Sequence, residues 1–585
     1  MRRVGVALLG LTVAVLAPRL VTGQTARSAP DMVLLDGRIF TADSSQPWAE
    51  ALAIRADRIV AIGTNADIAR LAGPQTRRIV LGRRVVVPGF NDAHIHLGAS
   101  LLPGVAFETS AEPVPDPTLG QVLDSLTALV RRTPRGTWLR TEIDAAILDD
   151  QHARRAALDS VAPVHPVWLE ANTGHGVVVN TAALRALGIA DDAPDPIGGY
   201  YEREGARYPG RGSGRLTGLL HEYAGWNAAR TLRSRQPDSV LVAALRAFSE
   251  RALHAGITSI QDMTNALDPA TTLRVLRLTR LPIRVRIISM PGTDNTGRLI
   301  AEWPDALRDS AWRTADRALP ATGGETPGTK WILDGTGIER LSLLRTPYAD
   351  RPEWQGMLNF PPDTIRALLE EALAIGAQPI LHTIGDSTIA VVLAAMEAVA
   401  PDSAWRRLRP RLEHAEWLTP DLRPLAVRLG VIVVQNPTHF TDGPERMHAR
   451  FGDERAREYQ PFRSLLLAGI PLAIGSDGPM DPFLNLQFAI THPDNPTEVL
   501  TREEAVTAYT RGSAYAEHAE QNKGTLAPRM LADLAVLSRD IFKVAADSLP
   551  GTVSVLTIIG GRIRYDALTA HRASQDAQPE KRAQN

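Results

Sequence analysis

The most informative segment of this chain is Pro88-Gly89-Phe90-Asn91-Asp92-Ala93-His94-Ile95-His96-Leu97, which follows a β-branched run at residues 85–87. The pattern predicts a strand that ends by passing into a loop. Residues i and i+2 of a strand point to the same face, so His94 and His96 present two imidazoles together while Ile95 faces a core. Two neutral imidazoles on one face are a common beginning of a zinc-type site. A single His-x-His pair often occurs by chance, so its meaning depends on ligands supplied elsewhere.

Composition and charge place the chain among ordinary globular proteins. Its 585 residues are enough for a barrel with a companion domain. With 44% apolar residues and a net charge of −1, nothing in the charge balance points to nucleic acid or an anionic membrane as a partner. Cysteine is absent, which excludes disulfides and any thiolate nucleophile or ligand.

Residues 1–23 predict a secretory signal peptide. Two arginines, Arg2 and Arg3, precede an apolar run at residues 4–17, and small residues before position 24 offer a cleavage site. The apolar run is too short to span a bilayer comfortably. We therefore expect a periplasmic or secreted protein with no stable membrane insertion after cleavage. An uncleaved anchor is the alternative.

Both ends of the chain show short apolar segments separated by tight turns. Examples are Met32–Leu35 within residues 31–87 and Leu534–Leu537 within residues 521–567. Chain termini tend to lie close together, so we expect one small β-sandwich built from both ends. The polar tail, residues 568–585, is expected to be disordered.

The middle of the chain, residues 88–520, alternates short apolar strands with helical windows such as Pro362–Ile375. This alternation predicts an α/β fold with a parallel sheet. Counting from Val85–Val87 gives eight strands, the number of a (β/α)8 TIM-type barrel. The count requires residues 97–250 to be a large insertion after the first strand.

Several potential metal ligands come at the ends of these strands, where the chemistry of such barrels is found. They are His94 and His96 at the first strand, Lys330 at the fourth, His382 at the fifth, His414 at the sixth and Asp477 at the eighth. One histidine at a strand end is explained equally well by a structural hydrogen bond. The whole set at one rim indicates a metal site.

This order of residues resembles the amidohydrolase superfamily, and within it the N-substituted formamide deformylase-like branch. The resemblance covers nearly all of the chain after the leader. The segments that carry it are residues 88–96, 256–262, 330–335, 475–477, 523–528 and 532–534. It implies a barrel, a β-sandwich, one or two divalent metal ions with Zn²⁺ expected, and hydrolysis of an amide-like C–N bond in a small molecule.

The resemblance also implies a special role for Lys330. A protonated ammonium cannot bind a metal, but in related enzymes the lysine of the fourth strand is carboxylated and bridges two metal ions. The alternative is a surface or salt-bridged lysine beside a single metal ion. That ion would be held by His94, His96, Asp477 and either His382 or His414.

Asp477 is the expected general base and acid. A carboxylate in contact with a metal-activated water can take its proton and pass it to the leaving nitrogen. Because an amine leaves poorly, protonation of the nitrogen matters as much as activation of the water. The alternative role for Asp477 is a helix N-cap.

Three further residues are weaker candidates. The segment Asn172-Thr173-Gly174-His175 resembles an Asp-Gly-His stretch of the same branch, with Thr173 in place of the usual aspartate. His175 is expected to polarise the substrate carbonyl, with a structural histidine as the alternative. Glu222 and His439 are expected to bind substrate, and the alternative for Glu222 is a charge on a helix face.

The sequence thus predicts an exported, metal-dependent amidohydrolase, with three alternatives. A deaminase of the superfamily would normally lack the lysine of the fourth strand and carry a catalytic glutamate, which is missing beside His382. An esterase or lactonase would need almost the same residues. A non-catalytic binding or regulatory protein on the same scaffold would show gaps in the ligand set.

Overall fold

The computed structural model describes residues 29–98, 101–109, 117–207, 210–294, 299–300 and 327–568. The predicted signal peptide, residues 1–23, lies outside the described residues, as does the predicted tail beyond position 568.

A parallel barrel forms the centre of the molecule. Its strands in the described part of the chain are β1 (Phe90–Ile95), β2 (Ile257–Thr264), β3 (Arg284–Ser289), β4 (Gly328–Ile332), β5 (Gln378–Thr383), β6 (Arg411–His414), β7 (Ile432–Gln435) and β8 (Leu472–Ile474). Each strand pairs in parallel with the next strand in the sequence. The predicted (β/α)8 class is confirmed.

Helices cover the outside of this barrel. They are Asp238–His254, Pro269–Thr279, Pro362–Ile375, Asp386–Val399, Asp402–Leu408, Arg423–Leu429, Pro444–Phe451, Asp453–Arg457, Phe462–Leu467, Pro482–Thr491, Arg502–Thr507 and Ser513–Ala516. Pro362–Ile375 shows why they form. It begins with proline, buries Ile365, Leu368, Leu369 and Ala372 on one face, and ends at Gly376 with a φ of 67°.

Gly89 separates the barrel from the sandwich. The sequence predicted that Val85–Val87 was the first barrel strand, and this is wrong: Val85–Pro88 pairs with Arg38–Phe40 and Leu534–Leu537 in another sheet. A Cβ on Gly89 would lie 2.2 Å from the side chain of Thr258. The chain therefore passes from one sheet to the other at a point where only glycine fits.

Two sheets built from both ends of the chain face each other beside the barrel. The first contains Met32–Leu35, Ala51–Arg55, Arg58–Gly63 and Arg77–Val80, and the second contains Arg38–Phe40, Trp48–Ala49, Val85–Pro88, Leu534–Leu537, Ser554–Ile559 and Arg562–Asp566. Leu34, Leu52, Val86 and Ile558 are buried together between them. The other face of the second sheet packs on the barrel, where Val87 and Ala535 join the main core.

The segment between β1 and β2 contains a sheet of its own. Its strands are Val105–Ala106, Leu139–Ile143, Val167–Ala171, Gly176–Val179, Gly199–Arg203 and Leu216–Glu222, and its helices are Leu119–Val130, Arg155–Val161, Thr181–Leu187 and Tyr223–Ser234. Trp168, Val177 and Leu220 are buried in its separate core. The helix Asp238–His254 leads directly into β2. The part of the predicted insertion that carries the sheet therefore ends before Asp238.

Four charged side chains fasten this insertion to the loops of the barrel. Arg340, after β4, lies 2.6 Å from Asp149 and 2.8 Å from Asp350. Arg450, in the helix Pro444–Phe451, lies 2.6 Å from each of the same carboxylates. Each charge has two opposite neighbours, so the network holds three segments at the rim in fixed positions.

Among the described residues, no single helix is both long and apolar enough to cross a membrane. Asp386–Val399 and Asp402–Leu408 meet the requirement only together, across a bend of 115°.

Asp92 closes the barrel between β8 and β1. Its carboxylate is fully buried and accepts hydrogen bonds from Ser476 N at 2.9 Å, Ser476 Oγ at 2.5 Å, Tyr509 Oη at 3.1 Å and His94 N at 3.2 Å. Burial raises the pKa of Asp92 to about 6, even though these hydrogen bonds favour the carboxylate.

We expect Asp92→Ala to destabilise the protein, because the donors on Ser476 and Tyr509 would be left buried without an acceptor. The expected loss is about 3 kcal/mol. The midpoint of urea unfolding, followed by circular dichroism, measures it. The matched control is Asp124→Ala, which alters an exposed aspartate of the helix Leu119–Val130. An Asp92→Ala midpoint equal to that of the control would contradict the role assigned to Asp92.

Candidate active site

His94 and His96 converge on Asp477 at the rim of the barrel. His96 Nε2 lies 3.1 Å and His94 Nε2 lies 3.6 Å from Asp477 Oδ1. Their ligand atoms all lie within 4.8 Å of one another. Ile95, between the two histidines, is 5% exposed and joins the core. The alternation expected of a strand thus places both imidazoles on the side of the carboxylate.

His382 and His414 extend this cluster from β5 and β6. Their ring centroids are 4.4 Å apart, and the ring of His414 is 4.9 Å from that of His94. His382 Nε2 and His414 Nδ1 are buried and have no hydrogen-bond partner among the described residues. An unpaired buried imidazole nitrogen is costly unless a ligand satisfies it, so both atoms fit metal coordination.

Lys330 lies inside the same cluster. It is fully buried on β4, and its Nζ is 3.3 Å from His94 Nε2. The alternative of a surface lysine is therefore wrong. Burial lowers the pKa of Lys330 to about 8, although Glu413 and Asp477 favour its charged form. No carboxylate forms an ion pair with Lys330 in the part of the chain that the structure describes.

Asp477 follows β8 in a left-handed backbone conformation with a φ of 56°. Its N–H donates to the carbonyl oxygen of His94 at 2.8 Å, which ties it to β1. The alternative of a helix N-cap is wrong because Asp481 caps the helix Pro482–Thr491. Burial alone would raise the pKa of Asp477, but the imidazoles of His94, His439 and His96 hold it well below its usual range. Asp477 is therefore a carboxylate.

Glu413 orients His94, and sequence reasoning did not identify it. Its Oε2 lies 2.6 Å from His94 Nδ1, and Arg411 donates two hydrogen bonds to it at 2.8 and 2.9 Å. Asn265 does the same for His96, accepting from Nδ1 at 2.9 Å. Partners on Nδ1 leave the Nε2 lone pairs free for a metal. The sequence does contain one signal for Glu413: together with Arg411 it lies in a short strand that ends at the candidate ligand His414.

His175 is paired with Glu222 rather than standing alone. Its Nδ1 lies 3.0 Å from both carboxylate oxygens, and its ring is 5.1 Å from that of His382. Burial alone would lower the pKa of His175, but Glu222 raises it above its usual value. Glu222 is 1% exposed at the end of its strand and not on a helix face. Glu222 contacts the Nδ1 side of His175 and does not line either of the two cavities described below.

His439 lies on the other side of Asp477. Its Nε2 is 3.4 Å from Asp477 Oδ2, its Nδ1 is 2.8 Å from Glu416, and its ring stacks on His414 at 5.3 Å. Burial would lower the pKa of His439, but the contacts with Asp477 and Glu416 raise it to about 10. Glu416, which also accepts from Tyr459 Oη at 2.9 Å, was not identified from the sequence.

Two cavities meet at this centre. One of about 510 Å³ extends over Ile338, Trp417, Met447, Phe451 and Tyr459. The other, of about 370 Å³, extends over Arg140, Glu170, Trp226, Arg233 and Asn265. Asn172, His175, His382, His414 and Asp477 line both. The polar centre therefore lies at the junction of an aromatic and a charged compartment.

The donor set fits a divalent metal ion. Imidazole nitrogens and one carboxylate are ligands that suit Zn²⁺, and the orienting partners on His94 and His96 complete the usual second layer of contacts. Such a set at the carboxyl ends of a parallel barrel is typical of metal-dependent hydrolases.

Known proteins support this class. The profile of the Amidohydrolase family matches residues 81–565. Protein LONG AFTER FAR-RED 3 of Arabidopsis thaliana is 27% identical over 553 residues, covering 92% of this chain and 91% of the relative. The N-substituted formamide deformylase of Arthrobacter pascens is 26% identical over 564 residues, covering 92% and 98%. The crystal structure of an uncharacterized metal-dependent hydrolase from Pyrococcus furiosus is similar with a TM-score of 0.63 and 23% identity, covering 88% of this chain and 100% of that one.

The chain therefore belongs to the amidohydrolase family. The resemblance expected from its motifs is confirmed, and the protein is a metal-dependent hydrolase.

We expect Glu413→Gln to weaken metal binding about 10- to 100-fold, because the amide no longer holds the protonated Nδ1 of His94 as the carboxylate does. Competition with a chelator at constant pH measures the affinity for Zn²⁺. The matched control, Glu397→Gln, changes an exposed glutamate that pairs with Arg428 on the surface. Equal affinities in both variants would remove Glu413 from this role.

Proposed function

We propose that this protein is an exported enzyme that hydrolyses an amide-like C–N bond of a small molecule, using one or two Zn²⁺ ions. The observation that carries the proposal is the position of Asp477. Its carboxylate contacts His96 and His439 where the two cavities meet. The similarity to a formamide deformylase supports an amide-like substrate. Export is inferred from residues 1–23 of the sequence.

His94, His96, Lys330, His382, His414 and Asp477 are the residues that would hold the metal. A bound divalent ion lowers the pKa of water to near 7 and polarises a carbonyl group. Asp477 takes the proton from the attacking water and delivers it to the nitrogen of the scissile bond, which then leaves as an amine. His439, charged and held by Glu416, keeps the Asp477 carboxylate ionised between turnovers.

His175 donates a hydrogen bond from Nε2 to the carbonyl oxygen of the substrate. Its Nδ1–H points to Glu222, so the pair can keep the ring protonated while charge develops on that oxygen. We assign Glu222 as a positioning residue that acts through His175, in place of the direct substrate contact expected from the sequence.

We further propose that Lys330 is carboxylated. The neutral Nζ attacks carbon dioxide and loses one proton, which gives a carbamate anion. The support is its complete burial beside His94 without a carboxylate partner among the described residues. A carbamate anion at this position would supply a further ligand beside the unpaired nitrogens of His382 and His414, which would hold divalent metal ions together with it.

We expect Asp477→Asn to lower kcat for amide hydrolysis about 10²- to 10⁴-fold, because the amide cannot carry the proton to nitrogen. A panel of simple amides such as N-benzylformamide, assayed by amine release with Zn²⁺, measures it. Metal content by elemental analysis should stay near that of the wild type, and the exposed Asp421→Asn is the control. Undiminished turnover in Asp477→Asn would show that proton transfer runs through another group.

We expect a carbamate signal in the ¹³C NMR spectrum of the Zn²⁺-loaded protein equilibrated with ¹³C-bicarbonate, and its loss in Lys330→Gln. Lys523→Gln is the matched control, because Lys523 is also buried but pairs with Glu517 at 2.6 Å. A spectrum without the signal at saturating bicarbonate would favour an unmodified Lys330.

A further inference from the structure

The smaller cavity contains an arginine that forms no ion pair with the residues that the structure describes. Arg140, in the strand Leu139–Ile143, lines this cavity together with His94 and Lys330. Its Nε is buried without a hydrogen-bond partner, and no carboxylate forms an ion pair with its guanidinium in the described ranges. A half-buried guanidinium without a carboxylate contact offers free donors to an anion that enters the cavity.

A second arginine stands beside it. Arg233, near the end of the helix Tyr223–Ser234, has a side chain that is 3% exposed, and its Nε is also buried without a partner. Its Nη2 lies 3.3 Å from Glu170, so this arginine is partly neutralised. Burial lowers the pKa of Arg140, Glu170 partly offsets this, and the like charge of Arg233 lowers the pKa slightly further.

Glu142 is the acidic group that opposes an anion here. It is in register with Glu170 on the neighbouring strand, and it lines both cavities. Burial and the like charge of Glu170 raise the pKa of Glu142. The cluster thus contains two arginines and two glutamates, with Arg233 in ion-pair contact with Glu170 and Arg140 in contact with neither carboxylate among the described residues.

One wall of the larger cavity is aromatic. The ring of Trp417 lies 4.5 Å from that of Phe451 and 5.3 Å from that of Tyr459, and Met447 lies on the same wall. Such a surface binds an apolar group. Since His175 and Asp477 line both cavities, a substrate cut at the centre extends into each of them.

We propose that the substrate is an amide of two unlike parts, with an apolar group in the larger cavity and a carboxylate that binds Arg140 in the smaller one. A carboxylate accepts two parallel hydrogen bonds from a guanidinium, which supplies the missing acceptors. The inference rests on the proposed amide hydrolysis and deepens it. A formyl group, being small and neutral, would leave Arg140 and the 370 Å³ cavity unused.

The test compares three N-benzyl amides with the Zn²⁺-loaded protein, two of which are similar in size and differ in charge. N-benzylsuccinamic acid carries the carboxylate, N-benzylsuccinamide replaces it with an amide, and N-benzylformamide lacks this part. We expect kcat/KM to be at least about tenfold higher for the acid than for its neutral counterpart. Equal values, or a preference for the neutral amides, would overturn the proposal.

Two variants with opposite expected effects separate binding from general damage. Arg140→Gln should reduce kcat/KM for the acid at least about tenfold more than for the neutral amide. Glu142→Gln removes the opposing charge and should raise the preference for the acid. Arg135→Gln, at an exposed site outside the cluster, is the control. Equal losses on both substrates in Arg140→Gln would mean a purely structural role and would overturn the proposal.

A binding measurement distinguishes failure of this inference from failure of the proposed reaction. Calorimetric titration with succinate does not depend on turnover. If succinate binds about tenfold more weakly to Arg140→Gln than to the wild type, the carboxylate site is supported. If no amide is cleaved in that case, only the proposed hydrolysis is overturned. If amides are cleaved but succinate binds equally well to the wild type and to Arg140→Gln, this inference is overturned and the proposed hydrolysis stands.

Discussion

The closure of the barrel between its last and first strands is the constraint on which the site depends. The hydrogen bond from Asp477 N to His94 O, and the two hydrogen bonds that Asp92 accepts from Ser476, join the end of β8 to β1. A Cβ on Gly475 would lie 2.4 Å from His94 N, so the two strand ends approach as closely as their backbones allow. The Asp477 carboxylate and the first two histidines are neighbours because the sheet closes there, although almost 400 residues separate them in sequence.

The site also stores backbone strain. Glu222, His414 and Asp477 all adopt positive φ, which is rare for residues with a side chain. Each such residue costs on the order of 1–3 kcal/mol and persists only where the surroundings hold it. Here the buried hydrogen bonds of the barrel and of the insertion supply that support. The benefit is that imidazoles and carboxylates from separate segments point at one spot before any substrate arrives.

Much of the site was predictable because it follows from two local rules. Alternate side chains of a strand lie on the same face, which places His94 and His96 together. The functional residues of parallel barrels lie at the carboxyl ends of the strands, which selects His382, His414 and Asp477. The assignment of Val85–Val87 to the barrel was wrong, because a β-branched run has the same pattern in either sheet. The residues Glu413, Glu416, Asn265 and Arg140 escaped sequence reasoning for a related reason. The roles of Glu416, Asn265 and Arg140 depend on which strands and loops become neighbours, which a single sequence does not show, whereas Glu413 could be suspected from its position in a strand that ends at His414.

The pairing of Val85–Pro88 with Leu534–Leu537 has a consequence for the order of events during synthesis. A ribosome produces the chain from its N-terminus, so the strand that leads into His94 lacks this partner until most of the polypeptide has been made. His94 and His96 are therefore synthesised early, but the strand that precedes them completes its pairing late. Assembly of the metal centre is therefore coupled to completion of the chain, and a prematurely terminated product carries the ligands without the scaffold that aligns them.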